Sequence, residues 1–198
     1  MSESWAPFAL AFAAFFASHA VPARPPVRRR LVAALGERGY LAAYVALSLA
    51  VLAWLIVAAG RAPYLELWAF SPWQLWVPNL AMPVVCLLAA YGTAAPTPFS
   101  FGGRGNERFD PEAPGIAGVA RHPLLWAIAL WAGSHLVANG DLAHAILFGT
   151  FAGFALLGMR MLDRRGQGRR GEAEWRRLAA RTSLLPGAAL VSGRWRPR

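Results

Sequence analysis

Two histidines thirteen positions apart, His122 and His135, lie in the run RHPLLWAIALWAGSHLVANGD at residues 121–141. The first sits between Arg121 and Pro123, and the second lies deep in an otherwise apolar stretch. Imidazole suits iron, zinc or copper, and haem iron is commonly held by histidine. An ionisable ring inside a membrane segment is costly to keep there, so each is a candidate functional group. His19 and His144 complete the set of four. His19 follows Ser18 near the end of an early apolar run, and His144 opens the run after Asn139-Gly140-Asp141. There is no nucleophile elbow, no phosphate-binding glycine loop and no carboxylate pair within an apolar run. Any chemistry therefore rests on the four rings and their neighbours.

Composition says what must surround them. The chain is 57% hydrophobic and only 15% charged, with nine Trp. A soluble domain carries about a quarter charged residues, so the deficit and the long apolar runs point to an integral membrane protein. The net charge of +10 does not imply a nucleic-acid partner, because the basic residues cluster beside apolar runs. Cys86 is the sole cysteine, which excludes an internal disulfide and a thiolate metal cluster. The Met-Ser-Glu-Ser start lacks the basic n-region of a signal peptide, so the first apolar run is expected to be a retained span.

Five spans are predicted, at residues 5–21, 40–59, 75–91, 123–137 and 142–161. A span needs about 20 apolar residues. The second and fifth meet that length, the first is near the lower limit, and Pro78 and Pro83 interrupt the third. Arginines follow spans one, three and five, whereas the connections near 61–73 and 139–141 are poor in them. The positive-inside rule then puts the N-terminus outside and the C-terminus in the cytoplasm. Residues 92–120, rich in Gly and Pro, form a long cytoplasmic loop. Asn139-Gly140-Asp141 joins spans four and five as a helical hairpin. Residues 171–185 read as a short amphipathic helix whose arginines and Trp175 suit a membrane surface. The fold class is all-α: a helical membrane bundle of about five transmembrane helices with an amphipathic tail, in one domain over 1–198.

Helical geometry limits which histidines work together. Thirteen residues rise about 20 Å and turn to nearly opposite faces, so His122 and His135 cannot share one metal. Depth alone pairs His19 with His122, and His135 with His144. Each ring also has a purely structural reading. His122 caps the helix that Pro123 opens, His19 and His135 bond between helices, and His144 is a hairpin-end polar group. The tryptophans are mostly interfacial anchors, with Trp126 and Trp131 placed to line a pocket.

Several separated motifs resemble the NnrU family of bacterial membrane proteins. They are SHAVPARPPVRRRL, GERGYLAAYVALSL, the run from Arg121 through residue 149, and the tail from Trp175 through ARTSLLPGAALVSGR. The family is associated by genetic context with nitrite and nitric oxide reduction. It includes the plant 15-cis-zeta-carotene isomerase, a membrane haem b protein that isomerises a carotenoid by a redox-sensitive ligand switch. The resemblance implies haem b with iron on His19 and His135, which match that enzyme's two axial histidines. Arg24, Arg121 and His122 are implied as further cofactor-binding residues, the arginines toward the propionates. Asp163-Arg164-Arg165 echoes a Gly-Asp-Arg-Arg element. The cysteine implicated as the alternative ligand in that enzyme is Ala132 here. The partners implied are the lipid bilayer and a hydrophobic polyene or a redox protein.

Two other classes fit some of the same residues. Arg121-His122-Pro123 at the start of a late span also resembles the isoprenylcysteine and phospholipid methyltransferases, where the histidine helps hold S-adenosylmethionine. Glu172 and Glu174 would imitate their acidic element. The aromatic-Gly pair expected soon afterwards is replaced by Leu124-Leu125-Trp126. A structural or assembly factor, in which the histidines only join helices, is the third reading.

Overall fold

The computed structural model describes residues 4–197. The order is α1 (Ala6–Ala23), α2 (Pro25–Gly60), α3 (Trp76–Ala94), α4 (Ile116–Val119), α5 (Pro123–Ala138), α6 (Leu142–Arg170), α7 (Glu172–Ala179) and α8 (Ala188–Val191). Short 3-10 turns at Pro72–Leu75 and Asn106–Arg108 complete the helical structure. Among the described residues the only strand-like pairing is an isolated antiparallel bridge between Glu66 and Asp141. The protein is thus all-helical, as the apolar runs require.

The chain forms two compact units. One comprises the residues up to Trp68 together with Asp141–Leu147, and the other comprises Ala69–Gly140 together with the chain from Phe148 onward. In the first, α1 packs on α2. Arg24 separates them in an extended conformation (φ −63°, ψ 133°). Pro25 and Pro26 then occupy the opening positions of α2, where a missing N–H costs nothing. Residues 25–38, which carry the charges between spans one and two, are helical except at Gly36 (φ 70°, ψ 166°). Arg, Leu and Ala are good helix formers, so the segment coils until the one residue that tolerates that backbone conformation cheaply. Tyr40 and Tyr44, one turn apart on α2, donate their hydroxyls to the carbonyls of Pro22 (3.3 Å) and His19 (3.4 Å). Those bonds tie α2 to the last turns of α1, and the Pro22 carbonyl is one of the four at the helix end that lack helical partners.

In the second unit α3 packs on α5. The approach is close because Gly92 has no side chain: a Cβ there would stand 3.0 Å from Leu124 Cγ. Val85 and Leu88 of α3 join Ala120 and Ala127 in one buried cluster. Leu125 and Ala129 meet Ala155 and Met159 of α6 in another. Outward faces are apolar as well, with Leu41, Val45 and Leu49 on α2, Leu80 and Leu87 on α3, and Leu157 on α6 all exposed. Such faces suit lipid. Four helical segments are long and apolar enough to cross a membrane: Ala6–Ala23, Pro25–Gly60, Pro72–Ala94 and Leu142–Arg170. The fourth expected span is the shorter α5, with 16 residues, or about 24 Å of helix. α6 runs nine residues beyond the expected end of span five at 161, to Arg170.

Gly92→Val is expected to destabilise the protein by about 1–3 kcal/mol through overpacking against Leu124. Thermal unfolding in a mild detergent, set beside Gly60→Val at an open position, measures it.

Candidate functional site

Pro123 shapes the site locally. A proline disfavours helical backbone in the residue before it, and His122 accordingly caps α5 in a non-helical conformation (φ −121°, ψ 69°). Arg121 and His122 therefore leave the helical path before α5 begins. Both side chains converge on Asp163 of α6. Arg121 Nη1 donates to one carboxylate oxygen (2.5 Å), and His122 Nε2 donates to the other (3.0 Å). Arg121 Nε also donates to Thr182 Oγ1 (2.9 Å), which in turn donates to the Ala179 carbonyl (2.8 Å). All four residues are buried, with His122 and Thr182 at 0% exposure.

The C-terminal tail is stitched to the same place. The Arg121 amide donates to the Ser183 carbonyl (2.8 Å), Trp126 Nε1 to the Leu184 carbonyl (2.7 Å), and the Gly187 amide to the Val119 carbonyl (2.8 Å). The Arg121 guanidinium also lies over the rings of Trp175 (4.8 Å) and Phe99 (5.9 Å). Trp175 thus packs inward from α7 against Arg121 and Phe99, contrary to the membrane-surface role expected for it. Its partners arrive from the loop after α3 and from the residue before the cap of α5, which no periodicity within α7 reveals. Two buried atoms here lack a hydrogen bond, His122 Nδ1 and Trp175 Nε1.

The other candidate histidines have a different and shared geometry. His19 Nδ1 bonds the carbonyl of Phe15 (2.7 Å), and His135 Nδ1 bonds that of Trp131 (2.8 Å), each one helical turn back. A carbonyl only accepts, so in both rings Nδ1 carries a proton, and in the neutral tautomer Nε2 holds the lone pair. No hydrogen bond is made at either Nε2 among the described residues. Aromatic rings flank both: Phe15 (4.3 Å) and Tyr44 (6.0 Å) beside His19, Trp131 (5.6 Å) and Phe148 (5.5 Å) beside His135. Both histidines are half-buried.

His19 belongs to the first unit and His135 to the second. His122 and His135 stand at opposite ends of α5. Arg24 is exposed at the end of α1 and makes no ion pair among the described residues. His144 bonds Asp141 through Nδ1 (2.7 Å), beside the hairpin turn. Burial pushes the Asp141 carboxyl up, but bonds from the His144 ring and amide outweigh it and hold it below the usual range. No cluster of three or more His, Cys, Asp or Glu that could hold a metal occurs among the described residues.

Sequence reading missed Asp163 as the partner of Arg121-His122, and missed Thr182. An acidic side chain two residues beyond the expected end of span five was the available signal, because a carboxylate there needs a partner. Thr182 had no signal, since its role comes from a tertiary turn. Compared with models of protein families, residues 7–194 match the one described as NnrU protein. No curated protein and no solved structure matches the chain.

Asp163→Ala leaves a buried guanidinium without its counter-charge and is expected to lower stability by about 3–5 kcal/mol. Thr182→Val is expected to lower it by about 1 kcal/mol. Detergent-solubilised thermal unfolding reads both. At the hairpin, the lowered Asp141 carboxyl contributes stability above about pH 4 that is lost as pH falls through its folded value. Unfolding measured across that window should lose this acid limb in Asp141→Asn.

Proposed function

The chain belongs to the NnrU family, and from that premise we propose that this multi-span membrane protein holds haem b through the imidazoles of His19 and His135. The carrying observation is their matched tautomer. A histidine ligand normally donates its other ring N–H to a carbonyl or carboxylate, which fixes the ring and raises its basicity. His19 and His135 both do so, toward Phe15 and Trp131, and keep Nε2 free. Each ring taken by itself therefore has the hydrogen bonding expected of a haem ligand. Held by these two imidazoles, haem b would supply reversible one-electron transfer.

The chain's own residues serve that role in distinct ways. Phe15 and Tyr44, and likewise Trp131 and Phe148, exclude water around the two rings. Arg24, exposed and without an ion pair among the described residues, is available to a propionate carboxylate. Arg121 and His122 are committed to Asp163, so their part is to hold α5 in place. The same enclosure favours this reading over methyl transfer from S-adenosylmethionine, which would need His122 open to a cofactor.

Ala132 is fully buried one turn before His135. It cannot supply a thiolate, and Cys86 lies on another helix, α3. A redox or sensing role in the setting of nitrite and nitric oxide reduction is therefore preferred to polyene isomerisation by cysteine exchange. The match over residues 7–194 supports treating 1–198 as one membrane domain. The arginines in the last turns of α6, from Arg160 to Arg170, support a cytoplasmic C-terminus in a bacterial inner membrane, with the N-terminus outside.

The purified protein, supplied with haem during expression, is expected to show a Soret band and a reduced-minus-oxidised spectrum of a bis-imidazole haem. His19→Ala and His135→Ala should each change or abolish it, whereas His144→Ala should not. A colourless wild type that stays folded would sink the proposal.

A further inference from the structure

A second candidate site has no histidine in its lining. The last turn of α3, the loop before α4, α4 itself and the C-terminal segment enclose an open cleft of about 650 Å³, within the usual range for ligand sites of about 300–1,000 Å³. Its apolar wall is Ile116, Val119 and Trp195, and its polar rim is Tyr91, Glu112 and Arg196.

The wall is firmly built. Trp195 is buried, and its amide donates to the Ala189 carbonyl (3.1 Å). Its ring lies flush against Gly118, where a Cβ would stand 2.6 Å from Trp195 Cε3. The rim is cationic overall. Glu112 is neutralised by an ion pair with Arg181. Arg196 is exposed and makes no ion pair among the described residues. Tyr91 belongs to a helix apolar and long enough to cross a membrane and lies three residues from its end at Ala94. The cleft therefore straddles the level where a bilayer's apolar and polar zones meet, with a positive charge at its mouth and an apolar floor.

We propose that this cleft binds an anionic glycerophospholipid, with the phosphate on Arg196 and an acyl chain along Ile116, Val119 and Trp195. Arginine pairs with phosphate through two parallel N–H bonds. The apolar wall favours a lipid over a free phosphate, which would leave that surface uncovered.

The test uses the full chain, delipidated in neutral detergent and exposed to dioleoyl-phosphatidylglycerol or dioleoyl-phosphatidylcholine. Native mass spectrometry counts the lipid retained. Phosphatidylglycerol should be retained about fivefold better, the factor expected from one arginine near an anionic headgroup. Arg196→Gln should reduce it to the phosphatidylcholine level. Ala113→Trp, which fills the cleft from an exposed loop position, should reduce both. Arg61→Gln, an exposed arginine at the end of α2, should change neither, and millimolar inorganic phosphate should not displace the lipid. Equal retention of the two lipids overturns the proposal, as does indifference to Arg196→Gln or to Ala113→Trp. Full displacement by inorganic phosphate overturns it in favour of a free-anion site.

Discussion

A carboxylate removed from water must be met by charge and by hydrogen-bond donors, and Asp163 meets both demands with two consecutive residues. Arg121 supplies the charge and His122 a second N–H. Both oxygens of the carboxylate are thereby engaged. Pro123 makes this possible by keeping the chain extended until α5 starts. The guanidinium then has remaining N–H groups and two faces to satisfy. Thr182 accepts one bond, and Trp175 and Phe99 cover its surface. One buried anion thus gathers the start of α5, the late turns of α6, the loop after α3 and the tail.

The same accounting separates the histidines by role. His122 uses Nε2 to reach a carboxylate and is wholly enclosed. His19 and His135 use Nδ1 to reach a carbonyl one turn back and leave Nε2 facing outward from the bond. Identical side chains are a buried clamp on a carboxylate in one place and half-buried rings bonded one turn back along their own helices in the others. The difference lies in which nitrogen the backbone or a neighbour occupies. His144 follows a third pattern, in which a local carboxylate at the hairpin fixes its ring.

Much of the fold was legible because long apolar helices must satisfy their own backbone groups in lipid. The runs at 5–21, 75–91 and 123–137 correspond to α1, α3 and α5 within a few residues. Helix ends were less legible. α6 continues to Arg170 and α2 begins at Pro25, because arginine-rich segments are good helix formers even where they are no longer apolar. The candidate histidines were legible from the cost of an imidazole in an apolar run. Asp163 was visible as a residue but not as a partner, and Trp175 was read as facing lipid although it faces Arg121.

The amino-acid sequence alone determined the helical class, the apolar spans, the clustering of arginines at particular helix ends and the family to which the chain belongs. These are local properties: each follows from the chemistry of consecutive residues and the period of one helix. Tertiary structure alone decided that His122 and Arg121 close on Asp163, that Thr182 and Leu184 return to the start of α5, and that Trp195 seals against Gly118 to wall a cleft. Those contacts join residues up to 77 positions apart, from Gly118 to Trp195. No periodicity encodes such pairings. They form because buried polar groups and uncovered rings have to find partners wherever packing brings them together.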